Sequence, residues 1–332
     1  MRNDLSSYGL TTMTKPLLVR IYVTMLRIRM FEEKIVELYP TQEMKCPVHL
    51  CIGQEAIATG VCATLEKKDY VFSNHRGHGH LLAKGCLMGP LFAEIYGKAT
   101  GCSRGKGGSM HLIDIDNRIM GTSAIVGGGI PLGVGSALAS QLRNEDRVTV
   151  IFFGDGAFEE GAFYESFNFA ALKSLPVVFV CENNFYATNS PQNARQAACR
   201  ISDTASAFGS RGVCVDGNDV LEVYKAAADA VLHARKGLGP TLIEARTYRW
   251  KGHVGHEPDY ANGDRTKEEL DDWIKRCPID AMSGFMLKNN IASADEMVRV
   301  KNAIDAEIEA AVGFARRSPL PAPTELLTDV YA

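Results

Sequence analysis

The apolar patterning of this 332-residue chain predicts an α/β protein with a doubly wound, mostly parallel sheet flanked by helices, and three observations carry that expectation. Residues 148–153, 177–181 and 241–245 are short, apolar runs rich in β-branched and aromatic side chains, as strands covered on both faces are. The stretch after the first of these turns to helical spacing, with Phe158, Ala162, Phe163, Phe167, Ala170 and Ala171 on one face and Pro176 closing it. Polar residues stand just past the strand ends, in Gly154-Asp155-Gly156 and Asn183-Asn184. That is where open α/β sheets bind ligands.

In chain order, a polar segment 1–15, expected to be flexible, precedes a long amphipathic helix from near Thr14 and Pro16 to Leu38. Residues 47–55 break the pattern and put His49 on a loop before a second helix over 54–65. A short strand, 71–73, leads into His75-Arg76-Gly77-His78-Gly79-His80, and 81–99 read as helical segments interrupted by Gly85, Gly89 and Pro90. From 100 to 135 the chain is rich in glycine, which at this length reads as a binding loop rather than a linker. A helix over 131–141, strand 148–153, a helix over 157–173 and strand 177–181 form a right-handed crossover unit. The polar loop 187–199 is expected to be mobile. After it come strand 213–217, helix 220–236, strand 241–245 and a Gly/His/Pro/Asp loop to Arg265. Helices over 267–275, 279–288 and 293–316 close the main body, which is expected to be a single domain over 16–317. Pro319, Pro321 and Pro323 stiffen an extended arm, 318–332.

Composition excludes several classes. With 46% hydrophobic and 23% charged residues the chain reads as an ordinary globular protein, and a net charge of −3 argues against a nucleic-acid partner. Arg20, Arg27 and Arg29 rule out a membrane span in the apolar stretch 17–31. Nine cysteines without a Cys-x-x-Cys pair, several inside apolar runs, point to reduced thiols and a cytoplasmic location.

Asp155 and Asn184 carry most of the chemical information. Neighbouring strand ends present a carboxylate and an amide oxygen, a donor set suited to Mg²⁺, which leaves its other positions to phosphate and water. Either residue alone reads more plainly, Asp155 as a helix cap and the asparagines as a turn. Arg76, with its planar fork, suits phosphate oxygens. A zinc reading of His75, His78 and His80 ranks lower, because no cysteine or carboxylate stands near them at ligand spacing. Gly105-Lys106 is not a phosphate-binding P-loop: Gly101 is one residue too close, and Gly107 replaces the required Ser or Thr.

Gly154-Asp155-Gly156 followed by Asn183-Asn184 resembles the thiamine-diphosphate motif, which opens with Gly-Asp-Gly and closes with Asn-Asn. His49-Leu50, Gly53-Gln54-Glu55-Ala56, Gly105-Lys106-Gly107-Gly108-Ser109-Met110-His111, Ile125-Val126-Gly127 and Tyr248-Arg249 to Gly252-His253 follow in order. They resemble the alpha subunit of the first, decarboxylating component of 2-oxo acid dehydrogenase complexes, from about residue 17 to the end.

The resemblance implies the diphosphate-binding half of a thiamine-diphosphate fold, with thiamine diphosphate and Mg²⁺ as cofactors. It puts Asp155, the Asn184 side chain and the Tyr186 carbonyl on Mg²⁺, and the Gly156 and Ala157 amides with Arg76 on the diphosphate. His49 faces the cofactor. His75 stands where pyruvate enzymes carry tyrosine, as in the acetoin branch, and Ala124 and Val126 cross the aminopyrimidine. His78 and His253 are the catalytic histidines it implies, with His253 orienting the donor carboxylate and assisting proton transfers. Val254 replaces the serine through which kinases control related pyruvate enzymes. The activating glutamate comes from a beta subunit in this family, so a tetramer of two alpha and two beta chains, served by a lipoyl transacylase core, is expected. The implied reaction cleaves a 2-oxo acid or acetoin and passes the acyl or hydroxyalkyl group to a lipoyl acceptor. Acyloin-forming or transketolase-like carboligation is the alternative, because Phe185 departs from the family's usual glycine. A non-catalytic subunit would have lost the metal motif, and Asp155 and Asn184 are both present.

Overall fold

A computed structural model describes residues 1–2, 4–197, 200–260, 263 and 265–328. Cys199, Asp264 and the last four residues of the expected arm, 329–332, lie outside the described residues. In chain order the elements are α1 (Lys15–Leu38), α2 (Glu55–Cys62), β1 (Tyr70–Phe72), α3 (His78–Lys84), α4 (Met88–Ile95), β2 (Ile119–Gly121) and α5 (Gly129–Leu142). Next are β3 (Thr149–Gly154), α6 (Gly161–Leu172), β4 (Val177–Asn183), β5 (Tyr186–Ala187), β6 (Ser190–Pro191), α7 (Gln192–Arg195) and α8 (Thr204–Ala207). The chain continues through β7 (Arg211–Asp216), α9 (Val220–Arg235), β8 (Thr241–Arg246), α10 (Lys267–Ile274), α11 (Pro278–Lys288) and α12 (Ala294–Arg317).

Six strands form one sheet in the order β2-β1-β3-β4-β8-β7, and every pairing in it is parallel. Alternate residues of the central strands feed two cores. Val150, Phe152, Val178, Val180 and Ile243 pack with α1, α2, α4, α9, α11 and α12, whereas Ile151, Phe153, Val177, Phe179 and Leu242 pack with α5 and α6. Burial on both faces explains why the strands read as unbroken apolar runs. The register pairs Gly154 with Glu182, so the turns after β3 and β4 emerge side by side at the sheet's carboxyl edge.

The helix ends follow local chemistry. The Thr14 side chain accepts from the Leu17 amide with Pro16 in the first turn, and Ser293 with Glu296 forms a capping box at α12. Differences from the sequence reading are confined to short pieces. The helix expected from 157 opens as a 3-10 turn, Ala157–Glu159, because Glu160 is extended (ψ 135°), and α6 starts at Gly161. Strand β2 is too short for periodicity to reveal. The loop expected to be mobile holds the β5–β6 hairpin and the single turn α7. The proline-rich arm winds into a 3-10 turn at Pro323–Leu327. In the 1–15 segment Tyr8 is buried and donates to Asp219 Oδ2 at 2.6 Å. Among the described residues no helix is long and apolar enough to cross a membrane.

The glycine-rich stretch is organised by one carboxylate. Glu94, fully buried on α4, accepts from the amides of Ser103 (2.7 Å), Gly105 (2.9 Å), Gly107 (2.7 Å) and Gly108 (3.2 Å). Gly105 and Gly108 are left-handed (φ 76° and 57°), which lets successive amides converge on it. Glu94→Gln removes the charge from these bonds and turns a donor on some of the amides. Destabilisation by about 2–4 kcal/mol is expected, read from the urea midpoint at unchanged slope.

Candidate active site

A cavity of about 360 Å³ opens at the carboxyl edge of the sheet. Its walls come from six places: Asp155, Gly156 and Ala157 after β3; Asn184 and Tyr186 after β4; Asn74, His75 and Arg76 after β1; the glycine-rich segment at Ser123 to Gly127; and His49, Gln54 and His253 from two further loops. Residues from distant parts of the chain therefore meet because parallel strands all end on one edge.

Asp155 is 1% exposed. Burial raises its carboxyl above the usual carboxylate range, and an ion pair with Arg195 pulls it back. Asn184 donates to Gln54 Oε1 at 3.1 Å, and its oxygen accepts from the Tyr186 amide at 3.3 Å, which fixes the turn that Phe185 crosses with φ 68°. Asn183 points the other way. Its amide holds Glu244 Oε1 at 2.9 Å and Gln192 Oε1 at 3.2 Å, inside the protein. The Tyr186 hydroxyl donates to Glu269 Oε2 of α10 at 2.9 Å, and the residue lines the cavity. A Cβ on Gly156 would stand 2.8 Å from the Ala187 Cβ, so only glycine lets the two turns close on each other.

Arg76 is 4% exposed, and its guanidinium donates to two backbone carbonyls, Leu50 O at 2.6 Å and His253 O at 3.3 Å. Among the described residues it makes no ion pair. Burial and the charge of Arg249 push it down to about 10. A buried cation hydrogen-bonded only to carbonyls among the described residues, with Glu182 and Glu32 acting on it at a distance, favours an anionic ligand.

His49, His75 and His253 gather at one end, their ligating nitrogens all within 4.8 Å of one another. Burial first, then Arg76, lowers them to about 3, 2 and 4. They are neutral at physiological pH, each with one nitrogen to donate and one to accept.

The His75–His80 segment therefore points three ways. His75 faces the cavity. His78, expected to be catalytic, does not reach it: its fully buried ring bridges Glu32 Oε1 (2.7 Å) and Ser109 Oγ (2.9 Å), because α3 begins at this residue and turns it inward. His80 bridges Ser73 Oγ (2.8 Å) and Glu182 Oε1 (3.2 Å) while stacking on Phe152. With both ring nitrogens engaged, His78 and His80 hold the loop on which Arg76 sits. Ala124 and Val126 line the opposite wall, and Ile125 and Val126 are 72% and 50% exposed at its rim.

The structure adds Gln54, Asn74 and Glu182 to the wall and Arg195 behind Asp155. Gln54 stands inside the Gly53-Gln54-Glu55-Ala56 motif at the start of α2, and Glu182 precedes Asn183-Asn184 on β4, where strand-end adjacency was the available signal. Nothing in the polar loop marks Arg195.

The dehydrogenase E1 component family matches residues 23–324, most of the chain. The chain belongs to that family. Three relatives agree over nearly their whole lengths. An acetoin:2,6-dichlorophenolindophenol oxidoreductase alpha subunit of Bacillus subtilis is 45% identical over 312 residues, covering 94% of this chain and 92% of the relative. The pyruvate dehydrogenase E1 alpha subunit of Porphyra purpurea is 42% identical over 327 residues (96% and 94%). A second acetoin:2,6-dichlorophenolindophenol oxidoreductase alpha subunit, from Cupriavidus necator, is 40% identical over 321 residues (96% and 95%). This E1 chain is thus an oxidoreductase subunit of alpha type, and thiamine diphosphate is the cofactor its family implies.

The E1 cavity fits that cofactor on its own terms. A buried guanidinium without an ion pair among the described residues lines the same crevice as the oxygen donors, and two buried nitrogens, His49 Nδ1 and Gln54 Nε2, have no partner among the described residues. The arrangement offers a charged clamp, hard oxygen ligands and neutral proton donors in one place.

Proposed function

We propose that this chain is the diphosphate-binding alpha subunit of a heteromeric E1 enzyme. It acts on a 2-oxo acid or acetoin and passes the acyl or hydroxyalkyl group to a lipoyl acceptor. The observation that carries the reading is the meeting of Asp155 and Asn184, from adjacent parallel strand ends, on one cavity wall with Arg76 and neutral histidines. The substrate class follows the relatives, whose names cover acetoin and pyruvate.

Asp155, the Asn184 side chain and the Tyr186 carbonyl are assigned to Mg²⁺, a set of hard oxygens that leaves room for phosphate and water. Arg76, which makes no ion pair among the described residues, takes the diphosphate together with the Gly156 and Ala157 amides. Ala124 and Val126 bound the ring end of the cavity. Thiamine diphosphate supplies an electron sink for bond cleavage next to a carbonyl. Around it the protein orients and excludes water. His253, neutral and close to His49 and His75, is placed to hold the donor and to give or take a proton at an imidazole nitrogen. His78 is left a supporting role, through Glu32 and Ser109.

The domain runs over 16–317 with the 318–332 arm appended, and the location is cytoplasmic. A beta subunit supplies the pyrimidine-binding half and the activating glutamate, in an assembly of two alpha and two beta chains, with a lipoyl transacylase as acceptor. The alpha designation of the relatives and the apolar rim at Ile125 and Val126 support a partner there. Co-expression with a beta-type chain of the same family, followed by titration with thiamine diphosphate and Mg²⁺, tests the reading. Dye reduction with acetoin, pyruvate or a branched-chain 2-oxo acid is expected to saturate with both cofactors. Turnover indifferent to them, or carboligation without any dye reduction, would sink it.

A further inference from the structure

Arg195 has no task in the reading above, yet its guanidinium is fully engaged. Nε donates to the Ser190 carbonyl at 3.0 Å, while the terminal nitrogens meet Glu159 and Asp155. Gln196 repeats the bridge, its Nε2 donating to the Asp155 carbonyl at 3.1 Å and to Glu159 Oε1 at 2.9 Å. Gln192 then holds Gln196 Oε1 at 2.7 Å, and Asn183 reaches Gln192 Oε1 at 3.2 Å. A continuous path of bonds therefore joins the turn after β3, through α7, to the end of β4.

Asp155 and Glu159 both line the cavity, and Arg195 holds the two together. It takes Oδ2 of Asp155, and among the described residues no other side chain hydrogen-bonds that carboxylate. With side-chain exposures of 11% and 2%, the Arg195–Asp155 pair is shielded from water, where arginine's planar fork holds its partners rigidly.

We propose that Arg195 is a positioning residue for the cation site: it braces the Asp155 carboxylate and ties the Tyr186 turn to it, setting the spacing of the oxygen ligands. This rests on the reading that Asp155 carries the divalent cation. The brace makes a claim opposite in sign to simple electrostatics. A guanidinium repels a divalent ion, so its charge alone would make removal tighten binding.

The test uses the full chain assembled with its beta-type partner and Mn²⁺ as the probe, with free Mn²⁺ read by its EPR signal at saturating thiamine diphosphate. Arg195→Gln is expected to weaken Mn²⁺ about tenfold and to change the bound-ion spectrum, as loss of a group orienting a ligand does. Arg195→Lys should recover part of the affinity, and the donor KM at saturating metal should not move. Unchanged or tighter Mn²⁺ binding in Arg195→Gln overturns the brace. If that variant fails to assemble, Arg195→Lys alone decides: affinity between wild type and a tenfold loss supports the brace, and wild-type or tighter affinity overturns it. Asp155→Asn separates the two ideas. Loss of saturable Mn²⁺ binding there, with Arg195→Gln unaffected, removes the brace and leaves the metal assignment standing. Intact Mn²⁺ binding in Asp155→Asn removes the assignment and the brace together.

Discussion

Asp155→Ala is expected to lower kcat/KM by about a hundred- to a thousandfold at fixed Mg²⁺, the scale of losing one preorganised electrostatic group from a buried site. The residue is a poor candidate for a merely structural carboxylate. It is 1% exposed, stands between two glycines at the end of a central strand, and lines the cavity rather than capping α6, which begins later at Gly161. Excess metal should restore part of the activity if Asn184 and the Tyr186 carbonyl still hold the ion. Initial rates against Mg²⁺ concentration, with thiamine diphosphate saturating, give the readout. Wild-type rates in this variant would contradict the assignment. Because burial raises this carboxyl while Arg195 lowers it, removal of the side chain also takes one of two carboxylates from the Arg195 guanidinium, leaving Glu159. Some loss of stability should accompany the loss of rate.

The isolated chain is expected to show no measurable turnover with any donor, and activity should appear when the beta-type partner is added. The cavity is bounded on one side by Ile125 and Val126, which are 72% and 50% exposed, with Leu132 of α5 nearby in sequence at 64%. Large apolar side chains left to water around a polar crevice mark a surface made for cover. Without that cover, water reaches the crevice and screens every charge meant to act there. Dye reduction measured across a titration of partner into chain should rise and then plateau at a fixed ratio. Full activity of the chain by itself would refute the shared-site reading.

Much of the sheet was legible because strands buried on both faces must be apolar throughout, and those of β3, β4 and β8 are. The position of Asp155, Gly156, Ala157 and Asn184 followed, since topology alone sends the ends of adjacent parallel strands to one edge. The division of labour between Asn183 and Asn184 was hidden in the motif. It comes from strand alternation, which turns one toward Glu244 and the other toward the cavity. His75, His78 and His80 look equivalent in sequence, and only the start of α3 and the buried Glu32 and Glu182 decide which ring faces out. Arg195 was illegible for a different reason. It lies in a polar segment without periodicity, and its partners stand 40 and 36 positions away in the chain.

The hold that Glu94 exerts on the glycine-rich stretch separates shape from identity. Ser103, Gly105, Gly107 and Gly108 are bound through their peptide groups, so the form of that stretch is written in residue 94, on a helix that precedes it. The Ser103 side chain adds a second tie, its hydroxyl donating to the His111 carbonyl at 2.9 Å and accepting from the Ile113 amide at 3.1 Å. A change at Glu94 would redraw that form without altering a single residue of the wall itself.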